Sequence, residues 1–487
     1  MHLRFSAVIL IFATILAGTI YALHLQGLVT AANEVYARYT AIGLFLASFL
    51  ILVWQKIKNH RFSWGDFYKN HSLIIVGLTV LLVSLFFRRY FTYYTSTLFI
   101  VASLIFFLHS RKFYAPPKFF YFIIAYALLM FFGTIGTTRG FYFPDHTLRF
   151  YLLPLAFCFF NLSQKTLLRI GEIFFKAGII FLSITVLYWF YNFLHLDADF
   201  IKWITGKTGY YAEMVGWKEQ AKYSMQGAYC LKNWAEHTWF SAYFFASTWS
   251  HFHHPTANSI VILGVLITGF YLYYQKIITK WELLLYVILA LFVIQLLQSR
   301  FGLTGFVLLV SFSGLYYLRM RTKYFNIGLI TYILLGGASL LVFGSKVFGF
   351  IYDGPRNDLR TVAMAYIRDN FWWGSGYREG PQAMLQQAEK MQDVHLPIAT
   401  HAHNQFLDDT IQFGILGLIV LVAMLAAIVC YAIKNRSYLL QMWLCVMLLF
   451  MWIEAGMFFT ILTFILFFTA ITEAERRERL NDKNLKM

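Results

Sequence analysis

Gly414–Ile433 reads GILGLIVLVAMLAAIVCYAI, twenty residues without a charge, closed by Lys434-Asn435-Arg436. A helix rises about 1.5 Å per residue and the hydrocarbon core of a bilayer is about 30 Å thick, so about 20 apolar residues cross it. Backbone groups in hydrocarbon must be satisfied within their own segment, and a lone segment does that only as a helix. The stretch is therefore read as a transmembrane helix with a basic end. Working outward, the same unit recurs. Spans are expected near 5–23, 38–54, 72–87, 92–108, 119–136, 148–161 and 174–194, then 257–274, 281–298, 302–318, 325–344, 414–433, 439–456 and 457–472. Some are short, so the expected number is twelve to fourteen. The fold class that follows is all-α: a polytopic transmembrane helix bundle.

Composition agrees. Of 487 residues 59% are hydrophobic and 13% charged, and the mean hydropathy is +0.60. A soluble domain carries about 45–50% apolar and about 25% charged residues, so an ordinary cytosolic enzyme is excluded. The net charge of +17 does not point to nucleic acid. Its Lys and Arg residues sit in short loops beside apolar runs rather than on one face or arm. Of Cys158, Cys230, Cys430 and Cys445, three lie in expected spans and none are paired in spacing, which argues against a disulfide framework or zinc knuckle. The first apolar run follows Arg4 but lacks a clear small-residue cleavage site, so an uncleaved helix is expected.

With a cytoplasmic N-terminus, alternate connections carry the positive charge. They hold Lys56, Lys58, Arg61 and Lys69; Arg111, Lys112 and Lys118; Lys165 and Arg169; and Lys276 and Lys280. Arg319, Arg321 and Lys323, then Lys434 and Arg436, and finally Arg476, Arg477 and Arg479 continue the series. Only Arg88-Arg89 falls on the other side, and the rule is statistical. Both termini are expected inside.

The resulting organisation is an N-terminal transmembrane bundle (1–194), an outer loop (195–256), transmembrane helices (257–344), a second outer loop (345–413), C-terminal transmembrane helices (414–472) and a cytoplasmic tail (473–487). Loops this long are usually functional or disordered, and neither has a disordered composition. The first carries Trp203, Tyr210, Tyr211 and Trp217, suited to a membrane interface. The second is expected to hold an amphipathic helix around 356–370 and another around 381–393. Chemistry carried there would be on the outer face, where a bacterium supplies no ATP.

In that loop His401-Ala402-His403-Asn404 precedes Gly414-Ile415-Leu416-Gly417, with nine residues between Asn404 and Gly414. A turn or two of helix at the membrane surface is expected over 402–413, with the glycines letting the next helix pack closely on a neighbour. A free imidazole titrates near pH 6.5 and can act as a base, although residue type alone also allows a surface histidine without a role. Arg300 and Arg149 lie at span ends, where an arginine either lines a site or snorkels to the interface. Arg356 and Arg360 fall one helical turn apart, on one face. Guanidinium forks bind phosphate oxygens and keep their charge, so several together would suit a lipid-linked pyrophosphate.

The combination resembles the O-antigen ligase family, the bacterial C-type glycosyltransferases that also include O-antigen polymerases. His403-Asn404, nine residues, then Gly414-x-x-Gly417 is similar to the family's ligase motif. Gln298-Ser299-Arg300 resembles its Ser-Arg-Gly element, with Phe301 intervening before Gly302. Arg356, a helix to Asn370 and Gly374-Ser375-Gly376 resembles its Arg-helix-Gly-x-Gly segment, with Phe371 where a proline usually precedes the glycines. Phe252-His253-His254-Pro255 is a weaker likeness. The resemblance covers roughly residues 250–433.

The resemblance implies a periplasmic active site in the bacterial inner membrane. It implies a glycan donor on undecaprenyl pyrophosphate, and lipid A-core as the acceptor of a ligase. His403 would be the general base, Arg300 and Arg356 would bind the pyrophosphate with Arg149 and Arg360 as further candidates, and Asn404 would orient the sugar. Asn404 is equally suited to capping its helix. No metal, cofactor or nucleic acid is expected, and displacement would invert the anomeric centre. A repeat-unit polymerase or a protein-acceptor oligosaccharyltransferase would share the chemistry. A flippase would not, but no internal repeat is evident and the charged candidates cluster at the outer face rather than the midplane.

Competing motifs are weaker. Asp197-Ala198-Asp199 has the DxD form of metal-dependent transferases but reads as a solvated turn. His237, His251, His253 and His254 lack supporting Cys or carboxylate spacing for a metal. Gly374-Ser375-Gly376 with Gly380 lacks the βαβ setting of a dinucleotide fingerprint. Asp408 and Asp409 read as helix-surface charges, with Asp408 a possible neighbour of His403. Glu454 and Lys176 sit in or near spans, where bundle packing or a mutual partner is the default.

Overall fold

The computed structural model describes residues 71–86, 89–134, 152–194, 255–297, 299–321, 354–391, 401–454 and 458–484. The described residues are helical, with no strand among them. In chain order the main helices are α1 (Ser72–Ser84), α2 (Arg89–Ser110), α3 (Phe119–Phe132), α4 (Gln164–Leu194), α5 (Pro255–Tyr274) and α6 (Lys280–Leu296). They continue with α7 (Arg300–Arg321), α8 (Gly354–Asp369), α9 (Gly380–Lys390), α10 (Gln405–Lys434), α11 (Tyr438–Ile453) and α12 (Phe458–Asn484). Stretches within Gln164–Leu187, Thr256–Tyr274 and Gln405–Lys434 are long and apolar enough to cross a membrane, and several shorter apolar helices accompany them. The expected spans at 5–23, 38–54 and 325–344 lie outside the described residues, as does Arg149. So do Asp197, Asp199, His237, His251, His253 and His254.

The chain divides into two compact units, one from Met1–Phe113 and Phe159–Leu303, the other from Tyr114–Cys158 and Thr304–Met487. In the first, glycines let aromatic rings bridge helices. A Cβ on Gly178 of α4 would meet Val265 of α5 at 2.9 Å and Tyr286 of α6 at 3.0 Å, and one on Gly269 of α5 would meet Phe175 of α4 at 2.4 Å. Packing by small residues suits helices in lipid, where apolar contact alone gives little preference for association. The Tyr286 hydroxyl donates to the Ile262 carbonyl at 2.9 Å, which spares α6 a buried unpaired donor.

Lys176 does not rest on packing alone. Its Nζ lies 2.8 Å from Glu172 on its own helix and 3.5 Å from Glu282 on α6, and Arg169 also pairs with Glu172. Those partners let α4 begin ten residues before the expected span at 174, carrying its charges on an already formed helix.

Ser299 explains the Ser-Arg-x-Gly element. Its hydroxyl accepts from Gly302 N at 3.0 Å at the start of α7, and a Cβ on Gly302 would come within 2.5 Å of Ser259 Oγ on α5. The serine starts the helix and the glycine admits its neighbour.

In the second unit α10 is central, packing against α3, α8, α9 and α11, with α12 on α11. Leu421, Met424, Leu425, Ile428 and Ala432 face inward, whereas Leu416, Ile419 and Val422 are exposed, as on a helix with one face to lipid. Trp443 of α11 is fully buried against Phe464 and Phe468 of α12. At the Lys434 end, Ser437 caps α11 and meets Thr472 Oγ1 at 2.6 Å, while Tyr431 donates to Glu473. The amphipathic helices expected in the second outer loop appear as α8 and α9. Leu359, Val362 and Ala363 of α8 form a small core with Met384 and Ala388 of α9, Ala402 and Ile411.

Candidate active site

The site is built at the start of α10. Asn404 is its N-cap, in extended conformation (φ −157°, ψ 118°), and its Oδ1 accepts from Leu407 N at 3.1 Å. Its Nδ2 donates to the Trp452 carbonyl at 3.0 Å, which ties α10 to the end of α11. Of the two roles open to Asn404, its contacts show the cap.

His403 precedes the cap with φ +48°, a left-handed conformation that costs an L-residue about 1–2 kcal/mol. Its Nδ1 lies 2.6 Å from Glu454 Oε1. A carboxylate can only accept, so Nδ1 carries the proton of this contact, and a ring that is neutral then has its lone pair on Nε2. Glu454 is itself fixed as the C-cap of α11, its N–H donating to the Phe450 carbonyl at 2.7 Å, and it is buried. A base oriented by a buried carboxylate is a familiar arrangement for moving a proton. Bundle packing or a mutual partner with Lys176 is the expectation for Glu454; the partner that the structure gives it is His403, and the signal was an acidic residue ending an otherwise apolar run.

The expectation that Asp408 and Asp409 are surface charges is overturned: they are 3% and 1% exposed. Each has found partners. Asp409 accepts from Tyr126 of α3 and from Gln405 Nε2, both at 2.7 Å. Asp408 accepts from Gln412 Nε2 at 2.8 Å and lies 3.2 Å from His401 Nδ1, so its histidine is His401 rather than His403. Buried carboxylates are tolerable only when hydrogen-bonded in this way.

Gly414 does more than ease packing. At φ 63° and ψ −161° it breaks α10, in a region that only glycine occupies readily. The break removes helical partners, and the loop after α8 replaces them. Ile415 N donates to the Phe371 carbonyl at 2.9 Å, Ser375 N to the Ile411 carbonyl at 2.7 Å and Gly376 N to the Gln412 carbonyl at 2.8 Å. A Cβ on Gly414 would lie 2.2 Å from the Trp372 carbonyl oxygen, and one on Gly374 2.6 Å from the Gln412 backbone. The Gly-Ser-Gly loop is thus the mate of the broken helix, with its Ser375 and Gly376 amides committed there. Phe371 in the position of a proline still supplies the carbonyl the break needs.

Residues 285–422, which include α7, α8, α9 and the broken start of α10, match the family model described as O-antigen ligase. Over this stretch the chain is similar to the O-antigen ligase family. No curated protein matches the chain significantly. The match supports an O-antigen ligase or polymerase type of function, and it implies a lipid-linked glycan as substrate and a lipid acceptor. The family resemblance therefore holds for the elements at 298–302, 356–376 and 403–417, which lie within the matched segment, and not for Phe252–Pro255, which lies before it; with the apolar helices the match supports a membrane protein.

The arginines stand as follows. Arg300 opens α7 and belongs to the first unit; Arg356 lies in the first turn of α8, in the second. Their guanidinium groups lie outside the described structure. Arg360 is half-buried on α8, one residue past Leu359 of the small core.

Proposed function

We propose that this chain is an O-antigen ligase that moves a glycan from undecaprenyl pyrophosphate to lipid A-core at the periplasmic face of the inner membrane. The observation that carries the reading is the His403–Glu454 pair, formed where the ligase motif meets the end of α11. Nε2 of the neutral ring takes the proton of the acceptor hydroxyl as its oxygen attacks the anomeric carbon. The C1–O bond to pyrophosphate breaks, the anomeric centre inverts, and negative charge grows on the leaving oxygens. Arg300 and Arg356, with Arg149 and Arg360 as further candidates, are proposed to stabilise that charge, an effect worth about 3–4 kcal/mol for one well-placed donor. No metal step is required by this scheme.

His403→Ala should leave the protein in the membrane and lower transfer by about 10²–10⁴-fold. The check is complementation of a deletion strain, read on a lipopolysaccharide gel. Loss of all long chains with lipid-linked polymer accumulating is the expected result. Unchanged ladders would remove His403 as the base, and capping by single repeats in the deletion strain would indicate a polymerase.

A further inference from the structure

Burial alternates through His401, Ala402 and His403. Ala402 is buried in the small core, while His401 is exposed and His403 half-buried. The two rings are anchored alike. His401 Nδ1 lies 3.2 Å from Asp408 Oδ1, and His403 Nδ1 lies 2.6 Å from Glu454 Oε1. With each Nδ1 taken by a carboxylate, each ring turns its Nε2 away from its anchor. Asp408 is in turn fixed by Gln412 at 2.8 Å.

We propose that His401 is a second ligand in this site, an imidazolium whose Nε2–H binds a phosphoryl oxygen of the lipid-borne substrate. This rests on the glycosyl-transfer reading. The carboxylate anchors place the two rings for different work: His403 to take a proton from a hydroxyl, His401 to donate a hydrogen bond to an anion. A charge-assisted hydrogen bond to phosphate is short and strong. The surroundings favour the charged form of His401. The hydrogen bond to Asp408 raises its pKa above the ordinary value, burial opposes this, and the charges of Asp408 and Glu454 add to the rise. Asp408 reaches the ring from α10, Glu454 acts from the end of α11, and His403 is two residues along the chain. The phosphate could belong to the donor diphosphate or to a phosphorylated acceptor core, and the chemistry is the same.

The test uses the full chain in nanodiscs. Affinities for undecaprenyl pyrophosphate, and separately for phosphorylated and dephosphorylated lipid A-core, are measured from about pH 6 to pH 9. His401 contributes while protonated, so affinity should be full at the acid end and fall as pH rises through its elevated pKa. His401→Gln should bind at least about fivefold more weakly at the acid end and lose that pH dependence. His401→Arg should restore affinity without the pH dependence. The ligand that shows the difference identifies the source of the phosphate. Equal affinities and pH profiles for wild type and His401→Gln with every ligand would overturn the proposal. If His403→Ala still abolishes transfer in that case, the glycosyl-transfer reading stands without it. If neither variant changes transfer, the reading itself falls.

Discussion

Glu454 gives His403 its direction. Its Oε1 sits 2.6 Å from Nδ1, and an amide in the same place could offer an N–H to Nδ1 and reverse the tautomer. Glu454→Gln should therefore lower kcat by at least about tenfold, with substrate affinity nearly unchanged, because shape is kept and only the proton's position is disturbed. Purified enzyme with donor and acceptor lipids would show this; a full-speed Glu454→Gln variant would reduce Glu454 to a packing contact. The motif that holds His403 is local in the sequence, whereas the partner of its ring stands 51 residues later. It also lies beyond the matched segment, which ends at residue 422. Asp408 and Asp409 misled for a related reason. Charge on a short helix reads as solvent-facing until tertiary partners are known, and Tyr126, the partner that buries Asp409, is 283 residues away.

At the scale of elements, apolar runs located the helices well, because hydrocarbon enforces helix over any run long enough to cross it. What hydropathy does not encode is the backbone conformation where such a run begins. Gly414 sits where the polar first turns of α10 give way to its apolar run, and its φ of 63° divides the helix, opening the Ile411 and Gln412 carbonyls to the Ser375 and Gly376 amides and the Ile415 amide to the Phe371 carbonyl. The motif glycine was visible as a close-packing residue; its backbone conformation was not. Gly414→Ala places a methyl 2.2 Å from a backbone oxygen in a conformation nearly reserved for glycine, and should cost at least about 2–3 kcal/mol. Gly314, on α7, has open space where a methyl would stand, with nothing within 4 Å, so Gly314→Ala should be near neutral or stabilise by up to about 1 kcal/mol. Thermal unfolding in detergent, read on both variants, checks the pair. Equal melting points would mean the break is not enforced by the loop.

At the scale of the whole molecule, the charge alternation and the site make one joint demand on topology. The stretch from Ile415 to Lys434 is long enough to separate the His403 end of α10 from its Lys434 end by about 30 Å, one hydrocarbon thickness. Within the other unit, Lys176, more than three turns into α4, meets Glu282 in the first turn of α6, and the basic residues Lys165 and Arg169 lie in the first turns of α4 as Lys280 does in that of α6. Positive charge is held on the cytoplasmic side, so Lys276, lying in the turn before α6, and Asn435, lying between Lys434 and Arg436, should both face inward, and His401 outward. In a chain with its four native cysteines replaced, His401→Cys should react with an impermeant maleimide on intact spheroplasts. Lys276→Cys and Asn435→Cys should react only after permeabilisation. Labelling of residues 276 and 435 from opposite sides would break the alternation in one of the two units, and labelling of residue 401 from inside would put the proposed chemistry on a face where its lipid-linked donor is not presented.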